Sequence, residues 1–163
     1  MKKAISLVLA LVLCIGLCAC SKEAAVDTPT AKKLSVSEVK TALDGNGWQL
    51  DIQSAGDQVT RFTVTISSIN AENLLDKSYA RNAINHLLQG VARPQEYQVC
   101  MGILPVMQVI SIFDKTSQET DAFYEKVLSV ICDGKVLEYD GWSISSSVNQ
   151  STDSITITAT TSK

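Results

Sequence analysis

From Leu34 onward the apolar residues recur with two different periods, and this alternation constrains the fold more than any other feature of the chain. Three- and four-residue spacing marks helices with one buried side, and strict alternation marks strands with one buried face. Val36, Val39 and Leu43 form a helical stripe. Ser35 and Glu38 stand at capping-box spacing, Leu34 and Val39 at hydrophobic-staple spacing, and Asp44-Gly45-Asn46-Gly47 supplies the stop. Trp48, Leu50 and Ile52, then Phe62, Val64 and Ile66, alternate with polar neighbours on either side of a Ser54–Asp57 turn. That pattern predicts a hairpin with one wet face. A second helix is expected within 71–89, on the stripe Ala80, Ala83, Ile84, Leu87, Leu88 and Val91; Leu74 and Leu75 fall off it. Residues 97–113 are strongly apolar and interrupted by Pro105. They are read as two short buried strands, 97–102 and 107–113, with a helical segment before Pro105 as the alternative.

A third helix is expected over about 117–132, with Thr116 and Glu119 at capping-box spacing and Asp133-Gly134 as its end. A meander follows: Val136–Tyr139, a tight turn at Asp140-Gly141, Trp142–Val148, and Ser154–Thr160. The predicted class is α+β, an antiparallel sheet with about three helices packed on one face. Helix, Asp-Gly, Gly-Trp and hairpin occur twice, at 35–66 and 117–160, which points to two α-β-β repeats in one sheet. The unequal spacing between Asp-Gly and Gly-Trp leaves chance open as the other explanation.

The first 20 residues are a different object. Met1-Lys2-Lys3 is cationic, and Ala4 to Leu17 is apolar except for Ser6 and Gly16, the n-region and h-region of an export signal. Read on length alone, Ala4 to Cys20 is seventeen residues, at the short edge of what can span a bilayer. Leu17-Cys18-Ala19-Cys20 resembles the lipobox of bacterial lipoproteins. The resemblance covers only this segment. It implies a signal peptide over 1–19, a diacylglyceryl group on the Cys20 thiol, cleavage after Ala19, and attachment to the outer side of the cell membrane. Two acyl chains anchor stably where one is marginal. Residues 21–33 are polar and carry no hydrophobic period, so Cys20 to residue 33 is expected to be a lipidated tether, with a root-mean-square reach of about 20 Å if flexible. The single α+β domain is expected over 34–163, and no second stretch reads as long enough to cross a bilayer.

Removing Lys2 and Lys3 with the signal leaves 12 basic against 17 acidic side chains, a net charge of −5. That average predicts a domain standing off anionic lipid. With no basic stretch, nucleic acid is excluded as a partner class. Cys100 and Cys132 remain after export, and two readings stay open: one disulfide, or two buried thiols acting as small hydrophobes. Neither Cys has a neighbour at metal-ligand spacing and there is one His, so no metal or cofactor site is expected.

No residue pattern marks a catalytic centre. His86, the only histidine, falls beside its helical stripe and is expected at the boundary of the core. The acids (Asp51, Asp57, Asp76, Glu96, Asp114, Asp121, Glu138) are scattered without a pair whose spacing marks a site. Twelve of residues 143–163 are Ser or Thr, alternating with Ile, Val and Ala. Such a row suits a solvated sheet face, or one binding glycan or another ordered polar surface. Trp48 and Trp142 share the phase of their strands' apolar faces and are expected in the core, sugar stacking being the alternative. The function expected is therefore a non-catalytic binding or accessory module of the cell envelope, anchored through acylated Cys20 and serving an envelope partner. The alternative is an envelope hydrolase using two of the scattered carboxylates, and weaker still a thiol-redox role for Cys100 and Cys132.

Overall fold

The structure, a computed structural model, describes residues 31–44, 47–115 and 120–162. Among them, five helices and five strands follow one another as α1 (Val36–Leu43), β1 (Gln49–Ala55), β2 (Gln58–Ser67), α2 (Ala71–Leu75), α3 (Lys77–Leu88), α4 (Pro94–Phe113), α5 (Asp121–Cys132), β3 (Leu137–Tyr139), β4 (Trp142–Asn149) and β5 (Ser154–Thr161). The strands form one open antiparallel sheet in the order β1-β2-β5-β4-β3. This is the α+β class that the two periods require. Each Gly-Trp hairpin contributes its second strand to the centre, where Val64 of β2 faces Ile157 of β5.

Alternation decides the two faces. Phe62, Val64 and Ile66 of β2, Ile155, Ile157 and Ala159 of β5, and Trp142 and Ile144 of β4 are buried on the helix-covered side. The intervening Thr and Ser residues face away. The edges are blunted: β3 has three residues, and the β1–β2 register shifts between Gln53 and Ser54, where Thr60 is the extra residue.

The helix starts are chemically determined. Ser35 caps α1, its hydroxyl accepting from the Glu38 amide while the Glu38 carboxylate accepts from the Ser35 amide at 2.7 Å. Leu34 and Val39 are buried as the staple. The second helix differs from the expectation: Asp76 breaks it, ending α2 and capping α3 through the Ser78 and Tyr79 amides. This is why Leu74, buried from α2, lies off the α3 stripe. α5 begins at Asp121, capped by Thr120; the Thr116–Glu119 spacing and Gly45-Asn46 lie outside the described residues, as does Cys20 with the whole lipobox.

The main correction concerns residues 97–113. They are not two strands but part of one 20-residue helix, α4, running through Pro105. Proline there removes the amide that would bond the Met101 carbonyl and crowds that carbonyl with its ring, but Val99, Ile103, Val106, Val109 and Ile110 pack in the core. By length and composition α4 could also cross a bilayer, contrary to the expectation of no second such stretch; 56% of the apolar window is buried inside the domain. It is a core helix lying against the central strand β5.

Residues 31–34 strap the domain at one end. The Lys32 amide donates to the Asp140 carbonyl at 2.7 Å, the Trp142 indole to the Lys32 carbonyl at 2.7 Å, and the Lys32 ammonium to the Ile112 carbonyl at 2.6 Å. Trp142, fully buried beneath the strap, meets Phe62 and Phe113 at ring distances of 6.1 and 5.4 Å.

Candidate functional site

The uncovered face of the sheet is built of polar side chains in register. Gln49, Thr65, Thr156 and Ser147 form one row across four strands, and Asp51, Thr63, Thr158 and Ser145 a second. Gln53, Arg61, Thr160, Ser143 and Glu138 form a third, reaching β3. Strand geometry spaces such side chains roughly 4.8 Å across the sheet and about 6.7 Å along it. The rows are partly self-bonded. The Thr65 and Thr156 hydroxyls lie 3.0 Å apart, and Ser143 donates to the Glu138 carboxylate at 2.8 and 2.9 Å. Most of the Thr and Ser side chains are half-buried by their neighbours, leaving hydroxyl oxygens and methyls facing out.

Where β2 ends and β5 begins, this face runs into an open cleft of about 870 Å³. Ser67, Asn70, Glu72, Gln98, Gln150 and Asp153 are among its walls. Ser68 and Asp153 take left-handed backbone (φ 64° and 44°) as the chain turns out of the strands, and the Ile69 amide ties the two turns by donating to the Asp153 carbonyl at 3.0 Å. Glu72 and Asp153 are exposed carboxylates. Sequence reasoning did not single out either, because the cleft gathers residues from three separate segments with no local signature.

The residues that were singled out do not converge. Asp51 and Glu138 lie on the open face, while Asp76 is a helix cap. The buried acids Glu96 and Asp114 stand at opposite ends of α4, about 27 Å apart along its axis. Asp114 accepts from Lys126 at 2.8 Å and Tyr139 at 3.4 Å. Glu96 gathers three donors. Its carboxylate accepts from the Arg93 guanidinium at 2.9 Å, the Arg93 amide at 2.7 Å and His86 Nδ1 at 2.9 Å. Those bonds, the Arg93 side chain first, hold its pKa down at about 2 against the desolvation that opposes them. An ionised carboxylate only accepts, so His86 carries its proton on Nδ1. His86 is at the boundary of the core, as its stripe position implied, but in a partnership the stripe did not reveal. Pro94 followed by Glu96 is a helix-start signature that would have located this cluster.

Cys100 and Cys132 are free thiols. Burial pushes both pKa values up to about 11, leaving little thiolate near neutrality for redox chemistry. Cys132 donates its S–H to the Leu74 carbonyl at 3.4 Å. Trp142 is core; Trp48 is half-buried against the core and not on the polar face. No group of three potential metal ligands occurs among the described residues.

No protein-family model, curated protein or solved structure matches this chain.

Proposed function

We propose that this chain is a bacterial lipoprotein, held by acylated Cys20 on the outer side of the cell membrane, that works as a non-catalytic binding module of the cell envelope. The observation that supports it most is the uncovered hydroxyl face, with Ser, Thr and Gln in register on four strands and no large apolar side chain among its rows. Repeating hydroxyls and amides at fixed spacing suit an ordered, hydroxyl-rich ligand such as a glycan strand, bound through many weak and partly water-mediated hydrogen bonds. The adjoining cleft gives that ligand an end-stop rich in amides and carboxylates.

Two experiments test it. Cys20→Ala expressed in a bacterial host should yield an unlipidated precursor; the same acylated mature protein from this variant would sink the lipobox reading. For the binding face, the unlipidated mature chain should co-sediment with purified cell-wall sacculi. Thr63→Lys with Thr158→Lys should weaken that association about tenfold or more, on the order of 1.4 kcal/mol. Wild type and variant sedimenting alike would discard the face as the binding surface.

A hydrolase is the second reading, favoured by one observation: Glu72 and Asp153 line the same cleft. Both are exposed, whereas a general acid working near neutrality needs burial to raise its pKa, so the binding reading is preferred.

A further inference from the structure

A second surface, on the helical side, is unlike the rest of the molecule. Of the six exposed large apolar residues among those described, five fall on α3, α4 and the turn between them: Leu88 (65% exposed), Val91 (61%), Tyr97 (48%), Met101 (46%) and Leu104 (37%). Tyr97, Met101 and Leu104 stand at i, i+4 and i+7 of α4, so this helix is apolar on its outer side as well as its buried one. The stripe opens into an apolar slot of about 130 Å³ between α3, α4 and α5, with Leu87 and Met107 in its walls.

We propose that this α3–α4 face docks on the interfacial layer of the bilayer to which Cys20 is anchored. The proposal rests on the lipoprotein reading above and adds an orientation to it. Charge distribution is the first argument. Residues 82–113 contain two charged side chains, Arg93 and Glu96, and Glu96 is buried against Arg93. On the rim toward α5, Asp121 and Glu125 both pair with Arg81. Residues 82–113 are thus neutral overall, and the net negative charge of the mature chain comes from residues outside this segment. The average charge predicts repulsion from anionic lipid, but its distribution turns the uncharged face toward the membrane. Tyr97 and Arg93 are residue types that sit well at headgroup depth.

Reach is the second argument. Lys32 is fastened to the Ile112 carbonyl at the C-terminal end of α4. From there the stripe begins eight residues away at Leu104, about 12 Å along the helix, and ends near Tyr97 at about 22 Å. The ten residues between Cys20 and Ala31 can extend at most roughly 35 Å, enough for α4 to lie along the membrane plane. A second copy of the chain fits less well, because five side chains fall short of the roughly 20–30 residues a side of a stable interface. An already anchored domain needs only a small further gain.

The mature chain's two methionines, Met101 and Met107, lie on the stripe and in the slot, which makes oxidation a site-specific reporter. The acylated protein, in vesicles of phosphatidylcholine with phosphatidylglycerol, and the unlipidated Cys20→Ser mature chain mixed with the same vesicles would be treated with peroxide and analysed by mass spectrometry. A face docked nine-tenths of the time slows Met101 oxidation about tenfold in the acylated protein. Leu88→Asp with Val91→Asp should abolish that protection, and Val136→Asp, an exposed residue elsewhere, should leave it intact. Equal oxidation with acyl groups confirmed on Cys20 overturns docking and leaves the anchor standing. Protection that survives Leu88→Asp with Val91→Asp overturns it too. Absence of an acyl group on Cys20 of protein taken from native membranes overturns both. Concentration-dependent protection of the unlipidated chain without vesicles assigns the face to a second copy instead.

Discussion

The two Gly-Trp hairpins begin with the same local chemistry and finish in different environments. Gly47 and Gly141 both take left-handed backbone, at φ 70° and 75°, and each hands a tryptophan to the start of a strand. Trp142 is wholly buried, its indole N–H bonded to Lys32 and its ring against Phe62 and Phe113. Trp48 is half-buried, and no residue of β1 is fully buried. The difference lies in what covers each. β4 is flanked by β3 and crossed by the strap of residues 31–34, while β1 is an edge strand. Burial of an identical motif is thus set by its neighbours in the sheet and not by its own residues.

The largest test of this contrast is Trp142→Ala, which should cost about 3–5 kcal/mol through the cavity and the unpartnered Lys32 carbonyl. Urea unfolding with an unchanged slope measures it. Gly141→Ala should cost about 2–4 kcal/mol, because a Cβ there meets the Ala31 backbone at 2.8 Å on top of the left-handed strain. Gly47→Ala has open space around it and should cost only about 1–2 kcal/mol, the backbone strain alone. Trp48→Ala should also lose about 1–2 kcal/mol, from partial burial. If the two tryptophan variants lost the same stability, the covering strap and β3 would be irrelevant to the hairpins.

Acid sharpens the comparison by removing a contribution common to both hairpins. α4 lies against β5, between them, and its first turn is tied by Glu96. The folded pKa of Glu96, about 2, is below its ordinary value of 4.5, so the stability it confers is fully present above about pH 4.5 and is lost as pH falls toward 2. Thermal unfolding across that range should show the loss in wild type and less of it in Glu96→Gln, with the gap between the Trp142 and Trp48 variants unchanged.

Most of the sheet was legible in the sequence because period-2 alternation is local: each hairpin, its turn and its wet face follow from neighbouring residues. α4 was not, because a helix that is apolar on its exposed side as well as its buried one shows no single stripe, and Pro105 reads as a break unless the packing that tolerates it is known. The split at Asp76 was hidden for a related reason, since one side chain ends α2 and starts α3. Of the candidate site, the alternating hydroxyls were visible but the rows were not, as they need the β2–β5 pairing across about 90 residues. The unequal spacing between Asp-Gly and Gly-Trp corresponds to β3, which lies between Asp133-Gly134 and Gly141-Trp142.

The blunted sheet edges carry one more consequence. A three-residue β3, and a β1 whose pairing is interrupted by the Thr60 bulge of β2, offer poor templates for strand addition. At high local concentration an open sheet with long, regular edges would be prone to zipper edge to edge into ribbons. With both edges spoiled, crowding can bring neighbours together without polymerising them, and the broad faces stay uncovered.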